Sequence, residues 1–327
     1  MRLILILCLV LLAGGAMAEV KVPLRAASLA HTYSIVAYDS VTGEFGAAVQ
    51  SHYFRVADVI WAEAGVGVVA TQSLVDFAYG PLGLAMMRNG KTATQALSGL
   101  LASDSSNAVR QVAMIDHNGN VASHTGSKCI AEAGYHVGKS YSVQANLMLK
   151  NTVWDAMAKA FETTKGDLSE RMMAALEAAQ AEGGDIRGMQ SAAILVVTGR
   201  PTGQVWRDRL IDLRVDDSPE PLKELKRLLN IQRAYRHEDR GDDFTAAGKT
   251  VEAEAEYEEA SRLAPDNVEL KFWHAVTLAT NNQLEKALPI FKDVFKADAN
   301  WRMLVPRLVK SDLLPNDEKL IKQIVAQ

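Results

Sequence analysis

Apolar residues come along this chain in short strand-like bursts and in helical stripes by turns. After a polar stretch from Glu19 to His31, runs with strand character follow in quick succession: Thr32 to Asp39, Phe45 to Ser51 and Gly65 to Gln72. Ser40, Thr42 and Gly43 supply turn chemistry between the first two and predict a hairpin. Pro81 to Arg88 and Thr94 to Ala102 then predict helices. Around the second, Ala93, Ala96, Leu97, Leu100 and Leu101 recur at i, i+3, i+4 spacing, while Asn89-Gly90 closes the first. A second hairpin is predicted from Val109 to Ile115 and Val121 to His124, turning at Asp116-His117-Asn118-Gly119.

A glycine-punctuated stretch (Gly126, Gly134, Gly138) leads to a short strand at Tyr141 to Gln144 and two more helices. One carries a face of Val153, Trp154, Met157, Ala160 and Phe161, the other a face of Leu168, Met172, Ala175, Leu176 and Ala179. Asp167 with Glu170 forms a capping box, and Gly183-Gly184 ends the helix it opens. Ser191 to Thr198 reads as a buried strand, and Gln204 to Val215 as another across the turn at Gly199 to Gly203. Strands, two helices, strands, two helices, strands: that order predicts an α+β fold of two facing sheets with helices outside.

At Asp216-Asp217-Ser218-Pro219 the composition turns charged and helical, predicting a domain boundary with a helical domain over 218–327. Gly241, Phe244, Gly248, Ala253, Tyr257, Ala260 and Pro265 are each followed 34 residues later by Ala275, Leu278, Asn282, Ala287, Phe291, Val294 and Ala299. That period resembles the tetratricopeptide repeat, whose paired helices need small residues where they cross and large ones between. Two repeats match. Because about three units are generally needed for mutual support, the helices at Leu222 to Arg236 and Arg302 to Val325 are expected to act as caps. A protein or peptide partner is expected on this domain.

The first residues change the picture of compartment. MRLILILCLVLLAGGAMA has Arg2 ahead of an apolar stretch from Leu3 to Ala13 and ends in Ala-Met-Ala, the pattern of a secretory signal peptide over 1–18. The stretch is shorter than the ~20 residues a spanning helix needs, so no stable membrane insertion is expected after cleavage. The expected location is periplasmic or secreted. Cleavage would remove Cys8 and leave Cys129 as the one cysteine, either buried or reactive. Residues 19–31 then form a leader or propeptide.

Over 327 residues, 35 Lys+Arg stand against 39 Asp+Glu, a net charge of −4 with no long basic run, which argues against a nucleic-acid partner. Phosphate-loop, Gly-x-Ser-x-Gly, His-Glu-x-x-His and Cys-x-x-Cys motifs are absent. His31 and His52 fit no ligand spacing, and neither metal nor cofactor is expected. What remains is a set of polar residues at ends of apolar strands, where burial is costly unless they are paired or used: Thr32, Ser34, Ser51, Thr71-Gln72, His124-Thr125, Gln144, Asn146, and the run from Asp185 through Arg187 and Gln190 to Ser191.

The segments HTYSIVAYDSVTGEFGAAVQS, VGVVATQSLV, GNVASHTGSKC, YSVQANLM and GGDIRGMQSAAILVV resemble, in order, the pattern of domain of unknown function 1028, from about Thr32 to Asp217. That family is placed by fold among the N-terminal nucleophile (Ntn) hydrolases, which implies a four-layer αββα sandwich over 32–217. In such enzymes a Thr, Ser or Cys freed as the N-terminus attacks an amide while its own α-amino group takes the proton; an amine pKa of about 7.7 to 8 suits that task. The resemblance puts Thr32 in this position and implies a small amide or peptide substrate. Signal cleavage after Ala18 leaves Glu19 to His31 in front, so either a second cut precedes Thr32 or this mechanism is closed.

Each remaining candidate carries two readings. Ser34 is a second nucleophile or a strand hydroxyl satisfied by neighbours. His124 pairs with Cys129 as base, or Cys129 is a buried structural thiol. Asp185 and Arg187 orient a substrate, or close a loop as an ion pair. Gln72, Gln144 and Asn146 are oxyanion donors or loop amides. Ser51, Gln190 and Ser191 fill out the expected substrate pocket, and exposed helical faces leave a homo-oligomer open.

Overall fold

A computed structural model describes residues 29, 30 and 32–327. The signal peptide expected over 1–18, Cys8 and the leader apart from Leu29 and Ala30 lie outside the described residues.

The chain enters as β1 (Leu29–Ala30), crosses to β2 (Thr32–Tyr38) and returns as β3 (Phe45–Ser51), the hairpin its turn residues predict. Next come β4 (Ile60–Glu63), β5 (Gly67–Leu74), and helices α1 (Tyr79–Arg88) and α2 (Ala93–Ser103). The hairpin of β6 (Arg110–Asp116) and β7 (Val121–Thr125) follows, its turn eased by Gly119 at φ 78. After β8 (Gly134–Gly138) and β9 (Tyr141–Ala145) come α3 (Val153–Thr163) and α4 (Leu168–Ala181). Asp167 accepts from the Glu170 amide at 3.0 Å while Glu170 accepts back from the Asp167 amide at 3.2 Å, which fixes the start of α4. β10 (Ser191–Val197), the turn of helix α5 (Val205–Asp208) and β11 (Arg209–Val215) complete the strands.

Among the described residues two wholly antiparallel sheets result. In the larger, the order is β11-β10-β3-β2-β9-β8; in the smaller it is β1-β5-β6-β7, with β4 sharing the outer edge of β5 beside β1. Val36, Val49, Val68, Ala113 and Ile115 pack between the sheets. On the far side of the smaller sheet, Leu84, Met87 and Leu97 of α1 and α2 pack on Val69 and Met114; on the far side of the larger, Met157, Phe161, Met172 and Leu176 of α3 and α4 pack on Tyr33, Ile35 and Ala48. Helices, sheet, sheet, helices: the four layers of an αββα sandwich. Two hairpin turns meet at Gly43 and Gly199, where a Cβ on Gly199 would stand 2.1 Å from the Gly43 carbonyl oxygen.

The structure departs from the sequence reading in three places. Val205 to Asp208, expected inside a long strand, forms α5. The short strands β4 and β8 were not expected. The helix expected at Leu222 to Arg236 as a cap is instead the first part of one helix, α6 (Pro221–Ala246). Leu222, Leu225 and Leu229 of α6 are buried in the sandwich core where α6 lies on β10 and β11, whereas Ala234 packs with the repeat helices. Packing of the sandwich therefore runs on past Asp217.

Helices α7 (Thr250–Leu263), α8 (Val268–Thr280), α9 (Leu284–Ala297), α10 (Asn300–Leu308) and α11 (Glu318–Val325) follow. The 34-residue offset holds to the residue between α7 and α9. At Gly241 a Cβ would meet the Tyr257 ring at 2.5 Å, and its repeat equivalent Ala275 is buried in the same cluster as Phe291, so the small-against-large crossings fall where the repeat puts them. Among the described residues, no helix is long and apolar enough to cross a membrane.

Candidate functional site

Alternation along β2 sends Tyr33, Ile35 and Ala37 to the helices, and Thr32, Ser34 and Val36 to the opposite sheet. Thr32 therefore begins the central strand facing inward, fully buried. It stands opposite Ser51 in the ladder, and its Oγ1 donates to Ser51 Oγ at 3.2 Å. Its carbonyl oxygen accepts from the Asn146 backbone amide at 3.1 Å, from Gln72 Nε2 at 3.2 Å and, more weakly, from Asn146 Nδ2 at 3.5 Å.

Below Thr32 the two sheets are joined by a layer of amides and hydroxyls. Ser34 Oγ donates to Gln72 Oε1 at 2.6 Å and accepts from Gln144 Nε2 at 2.6 Å. Gln144 Oε1 in turn accepts from Ser142, and Ser142 from Ser123. Gln72 Nε2 reaches Gln111 Oε1 at 2.6 Å, an oxygen that also accepts from Asn146 Nδ2 at 2.9 Å. Gln111 Nε2 donates to Thr125 Oγ1 at 2.8 Å and across the sandwich to the Ala145 carbonyl at 2.9 Å. Such a chain is costly to bury unless closed, and once closed each bond polarises the next. Ser34 uses both directions of its hydroxyl here, as a link between sheets.

Gln111 is the residue that sequence reasoning missed. It follows Arg110 at the start of β6, opposite Gln72 in the ladder, and a lone amide on the inward face of a predicted hairpin was its signal. Gln50 was missed as well: it is fully buried, with neither amide atom hydrogen-bonded among the described residues.

One residue beyond Ser51 the Asp185 carboxylate is buried. It accepts from the Arg187 backbone amide at 2.9 Å, from Arg187 Nε at 3.0 Å and Nη2 at 2.7 Å, and distantly from the His52 amide at 3.4 Å. The pair closes the loop before β10 and sits on the helix side of the sheet, where burial first and the Asp185 charge second hold the Tyr33 phenol protonated, its pKa well above the ordinary value. Ser191 stands opposite Ser51 on β10, so Thr32, Ser51 and Ser191 form a row across three strands. Its hydroxyl donates to the Tyr53 carbonyl and accepts from the Val56 amide. Gln190 turns away, its Nε2 donating to Asp217 at 3.1 Å.

Thr32, Ser34, Ser51, Gln72, Gln144 and Asn146 are thus brought together, with Asp185, Arg187 and Ser191 beside them. His124 is not. Alternation on β7 points it to the helix side, where its Nε2 lies 3.0 Å from the Asn107 carbonyl. Cys129 donates its thiol to the Arg110 carbonyl, and burial raises its pKa, so it rests as a neutral thiol and not as a nucleophile paired with His124.

Just ahead of Thr32, Ala30 pairs with Ser73, which holds a left-handed φ of 72 inside β5. A non-glycine residue there stores strain, a device that clusters at sites of chemistry. Among the described residues, no group of three or more His, Cys, Asp or Glu gathers to hold a metal ion.

The family model for a family of unknown function, DUF1028, matches residues 32–225, and a tetratricopeptide-repeat model matches residues 244–308. Among solved structures, the chain is similar to the crystal structure of protein SPO2555 from Silicibacter pomeroyi, described with the same family. Identity is 31% and the TM-score 0.54, over 61% of this chain and 87% of that one. No curated protein matches.

Proposed function

This chain belongs to the DUF1028 family of unknown function, and from that premise we propose that it is an exported amide hydrolase, periplasmic or secreted, whose nucleophile is Thr32. A cut between His31 and Thr32 frees the α-amino group. That amine takes the Oγ1 proton as Oγ1 attacks the carbonyl carbon of a small amide or peptide. The C–N bond breaks, the proton passes to the departing amine, and water releases the acyl group from Thr32. The observation that carries this reading is Thr32 itself: an inward-facing hydroxyl at the head of the central strand, its backbone clamped by Asn146 and Gln72, with strained Ser73 against the segment ahead of it.

Intact-mass measurement of the exported protein tests it. The expected mature chain begins at Thr32; one that begins at Glu19 rules the mechanism out.

A second reading rests on the polar layer, in which Gln144, Ser34, Gln72 and Gln111 are hydrogen-bonded in an unbroken chain. On that reading the sandwich is a silent scaffold and the repeat helices capture a protein or peptide partner, the general role of such repeats. The N-terminus distinguishes the two, since a scaffold needs no second cut.

A further inference from the structure

Between the repeat helices lies a cavity of about 400 Å³ that takes no part in the chemistry around Thr32. Its apolar wall is Leu270, Leu278 and Ile290, with the Tyr257 ring stacked on His274 at 3.8 Å. Its charged groups are unbalanced. Glu238 of α6, Glu254 and Glu258 of α7 and Asp293 of α9 face it, against Lys271 and Lys286 alone among the described residues. Lys286 is already paired with Glu254. Burial brings the His274 pKa down to about 4, so that ring is neutral and adds no positive charge.

Glu238 is the unexpected member. A carboxylate is almost never fully buried unless paired, yet Glu238 is only 6% exposed and its Oε1 is sealed from solvent with no hydrogen-bond partner among the described residues. Nothing on its own helix relieves it. Asp239 and Asp242 lie close enough to add to the effect of burial, and together they raise its pKa to about 8. His237 and Arg240, its neighbours in sequence, are committed to Glu256. A buried, unpaired acid at the wall of an apolar cavity with surplus negative charge lacks one thing, a cation.

We propose that this cavity seats a basic side chain of a peptide partner, with Glu238 as its counter-ion. The aliphatic stem of a lysine or arginine runs along Leu270 and Ile290 while its charged head reaches Glu238, dividing such a side chain as its chemistry favours. The partner is therefore a basic peptide segment and not an acidic one. The site is independent of Thr32.

The test uses the full chain and three fluorescein-labelled peptides, alike except for a central lysine, norleucine or glutamate in an alanine-leucine host. The lysine peptide is expected to bind about tenfold more tightly than the norleucine peptide, or about 1.4 kcal/mol, and the glutamate peptide more weakly than either. Glu238→Gln keeps the shape of the side chain and should erase the preference for lysine while leaving norleucine binding and the circular dichroism unchanged. Thr32→Ala should bind as the unaltered chain does. Equal affinity for the three peptides, failure of the lysine peptide to bind, or an undiminished lysine preference in Glu238→Gln overturns the proposal; in each case Glu238 is no more than a protonated structural acid.

Discussion

Thr32 and Ser51 face one another on neighbouring strands, with the Thr32 hydroxyl donating to Ser51 Oγ at 3.2 Å. Ser51 thus holds the hydroxyl on which the proposed chemistry depends. Thr32→Ala is expected to abolish amide hydrolysis, and Ser51→Ala to leave the N-terminus at Thr32 while lowering kcat roughly tenfold, as loss of one orienting contact does. With a free α-amine as base, kcat/KM should rise with pH through about 7.7 to 8. Steady-state rates across pH, with intact mass on each variant, check all three; a rate flat from pH 6 to 9 would count against an amine base.

Two of the buried glutamines, Gln111 and Gln50, should respond in opposite directions. Gln111 joins both sheets through its amide, so Gln111→Leu is expected to cost about 2 to 4 kcal/mol by breaking several buried bonds at once. Gln50 has no hydrogen bond to lose among the described residues, and Gln50→Leu should be neutral or stabilise by about 1 kcal/mol. Urea midpoints of the two variants give the comparison. A Gln50→Leu protein as unstable as Gln111→Leu would mean that the Gln50 amide is satisfied in solution.

Stability of the repeat helices should depend on pH in a way set by His274 and Glu238. His274 has a folded pKa near 4 against 6.5, so the unfolded chain binds the extra proton between those values and stability rises with pH there. Glu238 has a folded pKa near 8 against 4.5, so the folded chain holds the proton and stability falls as pH climbs through that range. From about 4.5 to 6.5 the two slopes cancel. Between pH 6.5 and 8 Glu238 acts alone, and a loss on the order of 2 kcal/mol is expected, since each pH unit is worth about 1.4 kcal/mol for one proton. Thermal melts of unaltered and Glu238→Gln chains at pH 6.5 and 8 check this, the decline vanishing in the variant.

Truncation should expose where the sandwich stops. Leu222, Leu225 and Leu229 are buried in its core, so a chain ending at Asp217 uncovers the apolar face of β10 and β11 and is expected to aggregate. A chain carried on to Arg236 keeps those three leucines and should remain monodisperse. Size-exclusion chromatography of the pair distinguishes them.

Much of this architecture was legible because its signals are local. The Asp167–Glu170 box, the Asn118-Gly119 turn and the 34-residue spacing each act within a few residues or at a fixed offset, and all three hold. β8 escaped because glycine at both its ends and exposed Tyr135 and Val137 give it no inward apolar face. β4 is only four residues long and follows a tight helical turn. Strand ends drew attention to Thr32, Ser51 and Gln72, but the role of Ser34 and the importance of Gln111 come from the register between two sheets, which periodicity does not contain. His124 was misplaced for the same reason: proximity to Cys129 in sequence says nothing about which face of β7 it occupies.

At about 1.5 Å per residue, the 26 residues of α6 make a rod near 39 Å long with one end set in the sandwich and the other in the repeats. It lies on β10 and β11, the strands at one edge of the larger sheet, and β10 carries the row that runs through Ser51 to Thr32. A partner that tilts the repeat helices therefore moves one end of a continuous helix whose other end is packed against β10 and β11.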